Sequence, residues 1–217
     1  MKLSKVINAL SMIHERSNRK IGVLISGRGS NLQAIIDSIE AGTLNAKIAV
    51  VISNKLNAEG LVRAKDHGIE TIFLDHRDYS SREKFDLAVV EELKNRDVSL
   101  VCLAGFMRLL SATFVRAFPS RILNIHPSLL PSFPGLDAQT QAFDYGVKES
   151  GATVHIVTPE LDAGPIVCQA VVPVSDSDTA ELLAARILSE EHKLYPEAIG
   201  IMLDGGWRVE GRRFLRS

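Results

Sequence analysis

At 217 residues the chain fits one large domain, and its 46% hydrophobic share supplies a core able to bury roughly 70% of the unfolded surface. A net charge of −1 with scattered basic residues excludes the bulk electrostatic signature of a nucleic-acid binder, while leaving room for a local anion site. No apolar run approaches the length of a membrane span.

The first nineteen residues carry apolar positions at helical spacing (Val6, Leu10, Ile13), which predicts a helical extension over 1–19 ahead of a main domain over 20–217. Asn8, Ser11, His14 and Glu15 interrupt that segment and make it a poor signal peptide, so the expected compartment is the cytoplasm. From Lys20 the chain alternates. Ile21–Ile25 reads as a buried strand, followed by a glycine turn and a helix on Leu32, Ile35, Ile36 and Ile39. Ile48–Ile52 is a second strand, and a helix through Leu61, Val62 and Lys65 stops at Gly68. Ile72–Leu74 is a third strand, after which Ser80 and Glu83 form a capping-box pattern that opens a helix through Phe85, Ala88, Val89 and Leu93. Val98–Leu103 and Arg121–Ile125 complete five strands. Cys102 and Cys168 lie in apolar runs and read as reduced, packed thiols rather than a disulfide or a nucleophile.

Near-continuous apolar strands alternating with amphipathic helices predict an α/β fold, a doubly wound, mostly parallel sheet with helices on both faces. The pattern changes after His126. Pro127, Pro131, Pro134 and Gly135 make a stiff loop, a short helix covers Ala138–Tyr145, and two β runs, Thr153–Val157 and Ile166–Val174, predict an antiparallel C-terminal portion. A long helix from about Thr179 meets Pro196, which is expected to break or kink it. Trp207–Leu215 reads as a terminal hairpin or strand.

Three places carry chemistry. Ser26-Gly27-Arg28-Gly29-Ser30-Asn31 joins the first strand to the first helix, where open α/β sheets bind anions on free helix N–H groups. Leu32 stands where a dinucleotide fingerprint needs its third glycine, so the turn suits a single phosphate, or is a plain tight turn capped by Ser30. Asn124 and His126 are two apart and share one strand face, opposite Leu123 and Ile125. An amide donor beside an imidazole, with Asp162 available from a second segment, is the equipment of acyl transfer: the amide meets an oxyanion and the carboxylate orients and charges the imidazole. Asp162 alone reads as turn chemistry in Asp-Ala-Gly. His155, with Thr153 two residues earlier, reads as support for these groups. A metal on His126, His155 and Asp162 is discounted, because no pair has a metal-site spacing and Asn124 is a poor zinc ligand. Glu190-Glu191-His192 is by default solvated surface.

Taken together, Ser26-Gly27-x-Gly29-Ser30-Asn31-Leu32-Gln33, Ala104-Gly105-Phe106-Met107-Arg108, Asn124-Ile125-His126-Pro127-Ser128 and Leu161-Asp162-x-Gly164-Pro165 resemble the folate-dependent phosphoribosylglycinamide formyltransferase family, in order and spacing, from Lys20 to the end of the long helix. The resemblance implies a Rossmann-like formyltransferase fold and a catalytic trio of Asn124, a protonated His126 and Asp162. It implies a substrate phosphate on Gly29, Ser30 and Asn31, and the substrate amine on Glu191. It implies a folate pocket formed by Met107, Arg108, Leu109 and Leu110 with Pro159, Glu160 and Leu161, and Arg82 near the folate tail. The implied partners are glycinamide ribonucleotide and 10-formyltetrahydrofolate, the latter a co-substrate with no tightly bound cofactor, in a monomer or homodimer without nucleic acid or membrane. Asp137 departs from the family pattern and adds a negative charge to the proline loop. Methionyl-tRNA formyltransferase would need a further tRNA-binding domain. Formyltetrahydrofolate hydrolase shares the trio but is expected to carry a regulatory domain and to lack the phosphate turn, and a non-catalytic module binding a phosphorylated metabolite has no use for the trio.

Overall fold

Short runs in which nearly every residue is apolar are stable in the middle of a sheet covered on both faces. In the computed structural model, which describes residues 18–216, five such runs form parallel strands: β1 (Lys20–Ile25), β2 (Lys47–Ser53), β3 (Thr71–Phe73), β4 (Leu100–Leu103) and β5 (Ile122–His126). Two more strands, β6 (Glu149–Ile156) and β7 (Ile166–Pro173), add antiparallel to β5 and to each other. The seven lie in the order β3-β2-β1-β4-β5-β6-β7. The order reverses direction between β1 and β4, which opens a crevice at the carboxyl ends of the strands.

The helices are α1 (Ser30–Glu40), α2 (Glu59–Asp66), α3 (Arg82–Lys94), α4 (Ala112–Ala117), α5 (Ala138–Tyr145) and α6 (Ala180–Asp204). Side chains alternate across the pleat, so each strand serves two cores. Ile21, Val23 and Ile25 pack with Leu32 and Ile35 of α1 and with Leu183, Ile187 and Ile199 of α6. Leu24, Val101 and Ile122 pack on the other face with Phe85, Val89 and Leu93 of α3 and Phe114 of α4. A separate hairpin of β8 (Trp207–Glu210) and β9 (Arg213–Arg216) follows α6, with Trp207 stacked on Phe214 at 5.5 Å.

Several expectations need correction. The cap of α3 is Ser81, not Ser80: Ser81 is extended (φ −154°, ψ 163°), and its hydroxyl accepts the Lys84 N–H at 3.2 Å. Helix α4 lacks the length for a legible period. Ser111 starts it by accepting the Phe114 N–H at 3.3 Å, and Phe114, fully buried, anchors it at a gain of roughly 1.5–3 kcal/mol. Pro196 does not break α6, which runs unbroken because Leu194, Tyr195, Ala198 and Ile199 around it are all buried against the sheet. The Tyr195 hydroxyl reaches the carbonyls of Leu103 (2.9 Å) and Leu123 (3.2 Å), fixing this helix to the ends of β4 and β5. The helical extension expected over 1–19 falls, up to residue 17, outside the described residues.

Candidate active site

The glycine turn after β1 enters α1 through Gly29, whose left-handed backbone (φ 72°, ψ 31°) leaves the first helical N–H groups uncapped by any side chain. Uncapped amides at a helix N-terminus are an anion site. A side chain at position 29 would be strained by that φ, and its Cβ would lie 2.6 Å from the Gly60 Cα. Ser26 ties this turn to the loop after β4. Its N–H donates to Gly105 O (3.0 Å), its hydroxyl accepts the Met107 N–H (2.9 Å), and the same hydroxyl donates to Asn54 Oδ1 (2.6 Å). Beside the turn, a cleft of about 390 Å³ is lined by Ser30, Gln33, Asp37, Arg63 and His192. Arg63 donates from Nε to the Arg28 carbonyl at 2.9 Å, and burial lowers the His192 pKa against the opposing pull of Asp37. Arg63 carried no reading from the sequence, and His192, read there as solvated surface, is half-buried in this cleft. We expect Gly29→Ala to weaken ribonucleotide binding roughly tenfold or more, from the cost of a left-handed L-residue alone, with folate affinity nearly unchanged; titration calorimetry with each ligand separates this from a collapsed loop, which loses both.

Strand β5 carries the next group. Asn124 and His126 lie on one face of it, and His126 is 4% exposed. The His126 Nε2 is 2.8 Å from the Phe133 carbonyl. A carbonyl can only accept, so Nε2 bears the proton in that bond and Nδ1 is the nitrogen left for chemistry. The Nδ1 atom faces Asp162 Oδ2 at 3.5 Å. His155 on β6 supports both partners. Its Nδ1 lies 3.1 Å from the Ile156 carbonyl, so in the neutral ring Nε2 is an acceptor, and it takes one N–H from Asn124 Nδ2 at 3.2 Å. The second Asn124 N–H remains for an oxyanion. Asp162 Oδ1 lies 3.6 Å from His155 Nε2.

Asp162 reaches this position from a turn with a left-handed residue at 162 and no room for a side chain at 164. Its own φ is 48°, and a Cβ at Gly164 would sit 1.7 Å from the Ile156 carbonyl. Burial works to raise the Asp162 pKa, but the His155 ring, the Gly135 N–H and the charges of His126 and His155 together hold it below the usual carboxylate value. The Gly135 N–H donates to Oδ2 at 2.8 Å, which joins the aspartate turn to the proline loop. Phe133 in that loop holds φ 53°, an uncommon conformation for an aromatic residue, and so presents its carbonyl to His126. Thr153 steadies the same loop. Its hydroxyl donates to Ser128 O (2.6 Å) and accepts the Leu130 N–H (3.0 Å), and Gln169 joins it at 2.9 Å. The departure from the family pattern, Asp137, is exposed and left-handed (φ 53°) at the start of α5 without capping it.

On the expected folate side, Met107 and Leu109 in the loop after β4 are 68% and 59% exposed, and Leu161 in the aspartate turn is 54% exposed. Pro159 and Glu160 are exposed beside Leu161. Leu110 and Arg108 differ in character. Leu110 packs against the core under α3, and Arg108 places its guanidinium 5.0 Å from the centroid of Phe85. The loop is anchored where Ser111 N–H donates to buried Asp86 at 2.6 Å. Arg82 is at the exposed start of α3, 3.8 Å from Glu83, and no hydrogen bond ties it to the pocket among the described residues.

Glu191 overturns its default surface reading. It is 6% exposed, on the inner face of α6, and accepts a hydrogen bond from Asn31 Nδ2 at 2.8 Å. Burial raises its pKa, partly offset by that bond. Asn31 thus joins the anion turn to Glu191, Ser26 joins it to the loop after β4, and the strand of the Asn124–His126 pair lies next to β4 in the sheet. Between β1 and β5 lie two strand spacings, about 10 Å, the span of a small extended substrate.

Among the described residues no helix is long and apolar enough to cross a membrane. The chain is 46% identical over 185 residues to the phosphoribosylglycinamide formyltransferase of Escherichia coli K12, covering 85% of this chain and 87% of that protein. It is 47% identical over 190 residues to the trifunctional purine biosynthetic protein adenosine-3 of Gallus gallus, covering 88% of this chain but only 19% of that one. The crystal structure of glycinamide ribonucleotide transformylase 1 from Symbiobacterium toebii superposes with a TM-score of 0.89 at 53% identity, over 91% of this chain and 93% of that one. Residues 19–199, from the start of β1 into the last turns of α6, match the family described as formyl transferase, and with the crevice they enclose they make the chain a member of that family.

Proposed function

We propose that the protein transfers the formyl group of 10-formyltetrahydrofolate to the amine of N1-(5-phosphoribosyl)glycinamide, giving the N-formyl ribonucleotide used in purine biosynthesis. The observation that supports this reading is the Asn31–Glu191 bond, which sets a buried carboxylate beside the anion turn. A hydrolase needs neither an anion turn nor a carboxylate for an amine.

In this reaction the substrate phosphate sits on the N–H groups of Gly29, Ser30 and Asn31, flanked by Arg63, and the amine meets Glu191. The neutral amine attacks the formyl carbon, a C–N bond forms and the carbonyl oxygen becomes an oxyanion. One Asn124 N–H and the His126 imidazolium, through Nδ1, stabilise that charge, and Asp162 stabilises the imidazolium. The intermediate collapses by breaking the bond to folate N10. The proton lost by the amine ends on N10, carried by His126 and a water ordered by Asp162. Met107, Leu109 and Leu161 cover the folate ring, with the backbone around Arg108 and Leu110 behind it and Pro159 and Glu160 at the rim. Arg82 lies within reach of an acidic folate tail. Thr153 and His155 hold the loop, the amide and the carboxylate in register. Folate is spent in each turnover as a co-substrate.

The test is folate deformylation by pure protein with and without the ribonucleotide. We expect deformylation to require the ribonucleotide, with one formyl group recovered on it per folate consumed. Deformylation at the same rate without it identifies a hydrolase, and no turnover in either arm identifies a binding module.

A further inference from the structure

The ring of His126 stands between two acceptors that call for its proton on different nitrogens. The Phe133 carbonyl is 2.8 Å from Nε2, and Asp162 Oδ2 is 3.5 Å from Nδ1. A neutral imidazole has one N–H, so it serves one acceptor and turns a lone pair toward the other. Which tautomer forms depends on how firmly each acceptor is held. Asp162 Oδ2 already accepts the Gly135 N–H at 2.8 Å, which weakens its claim on Nδ1. The Phe133 carbonyl is held by Ser128. This residue follows β5 by two positions and is fully buried, 0% exposed. Its hydroxyl donates to Ser132 O at 2.6 Å, and the same Oγ lies 3.3 Å from Phe133 O. Two successive carbonyls thus converge on one hydroxyl, with the left-handed residue Phe133 (φ 53°) between them. A carbonyl oxygen carries two lone pairs, so Phe133 O can face Ser128 and His126 together. Thr153 and Gln169 hold the opposite end of the loop, at Ser128 O and Leu130, and make no bond to Ser132 or Phe133 among the described residues.

We propose that Ser128 is a positioning residue that selects the tautomer of His126: by holding the Phe133 carbonyl against Nε2, it keeps the single proton of the neutral ring there and leaves Nδ1 as the base. The inference rests on the reaction given above, in which Nδ1 does the chemistry. The proton then leaves the amine nitrogen for the Nδ1 lone pair, and passes from Nδ1 to folate N10 as the bond between N10 and the formyl carbon breaks. The other tautomer, with Nδ1–H on Asp162, has no lone pair on that side of the ring and sets the Nε2 lone pair against the Phe133 oxygen. Catalysis thereby depends on a hydroxyl that touches neither substrate nor imidazole. It acts on a carbonyl, the carbonyl acts on one ring nitrogen, and the other nitrogen is left bare. His155 is the counterpart: the Ile156 carbonyl at 3.1 Å places its proton on Nδ1, so backbone oxygens set the two histidines of the site to opposite tautomers.

Nitrogen NMR of the full chain, labelled in its histidine rings, tests this at about pH 9, where an ordinary imidazole is neutral. The His126 signals are those missing from His126→Gln, and the His155 signals, of opposite tautomer, report an intact fold. In the unsubstituted protein Nε2 of His126 should carry the proton and Nδ1 should not. Ser128→Ala is expected to lower the ratio of Nε2–H to Nδ1–H by roughly 3–10-fold, the equilibrium weight of one neutral hydrogen bond. Its ribonucleotide-dependent kcat should fall roughly tenfold or more, because the ring is misaimed as well as misprotonated, with KM for both substrates nearly unchanged. An unmoved ratio overturns the proposal even if kcat falls, since a merely structural serine slows the enzyme without touching the tautomer. A shifted ratio with unchanged kcat overturns it as well. If the unsubstituted protein has no ribonucleotide-dependent turnover while the ratio still shifts, the reading of the reaction fails instead. Should Ser128→Ala lose the His155 signals, Ser128→Cys keeps the volume with a weaker donor; the ratio must move in the same direction, and a ratio that stays overturns the proposal.

Discussion

Asp162→Asn is expected to lower kcat by about 10²–10⁴ while the protein remains folded, the range for removing a group that supports proton transfer. Asparagine keeps the side-chain shape and tolerates the left-handed φ of 48°, so the turn survives. What disappears is the negative charge 3.5 Å from His126 Nδ1 and 3.6 Å from His155 Nε2. The His126 imidazolium then forms without its counter-charge, and ribonucleotide KM should change little because the anion turn is untouched. Stability supplies an independent check. The folded Asp162 pKa is depressed, so its charged form contributes stability above the unfolded carboxyl value of about 3.9, and that contribution is lost as pH falls through the lower folded value. Urea unfolding of both proteins should therefore show a gap at neutral pH that narrows in acid. A gap of constant size, or a kcat within a few fold of the original, removes the charge from the account.

The second large effect belongs to the oxyanion. Asn124→Ala should reduce kcat by about 10²–10³ with both substrates still bound, because the donor acts on charge that develops only in the transition state. Single-turnover measurements at saturating substrates read this step directly. The substitution also removes the N–H that His155 Nε2 accepts at 3.2 Å. A matching His155→Ala variant should lose less than Asn124→Ala, since it leaves both amide hydrogens in place and only loosens their aim. The reverse ranking would make His155 the reacting group and Asn124 its support.

The sheet was legible because its signal is redundant: Ile21–Ile25, Ile48–Ile52 and Leu100–Leu103 are apolar on both faces, and no other element requires that of so few residues. The Asn124–His126 pair was legible because polar side chains two apart on such a strand are costly without a use. Other features were hidden for physical reasons. The partner of His126 Nε2 is the carbonyl of Phe133, and backbone contacts leave no trace in side-chain identity. Ser80 and Ser81 offer the same hydroxyl, and only the extended backbone at Ser81 decides which caps α3. Glu191 did leave a trace. Leu183, Ile187, Glu191 and Tyr195 recur every fourth residue, so the carboxylate stands within the apolar stripe of α6. An acid in that register is a buried acid, and counting the stripe rather than reading the local run Glu190-Glu191-His192 would have exposed it.

Gly60 has no place in the chemistry, yet its missing side chain shapes the crevice. It opens α2 with its N–H on the Gly27 carbonyl at 3.1 Å, and a Cβ there would lie 2.5 Å from Ile25 Cδ1 and 3.2 Å from the Gly29 Cα. The two glycines meet backbone to backbone, so the glycine turn proposed to take the anion is propped by the next strand–helix unit of the sheet. Its constraint is one of clearance rather than of torsion, and for that reason the tolerance map of the ligand site is wider than its contact map. A change at residue 60 would spread through Gly29 and read, in any screen for weakened substrate capture, as though a ligand-touching position had been hit.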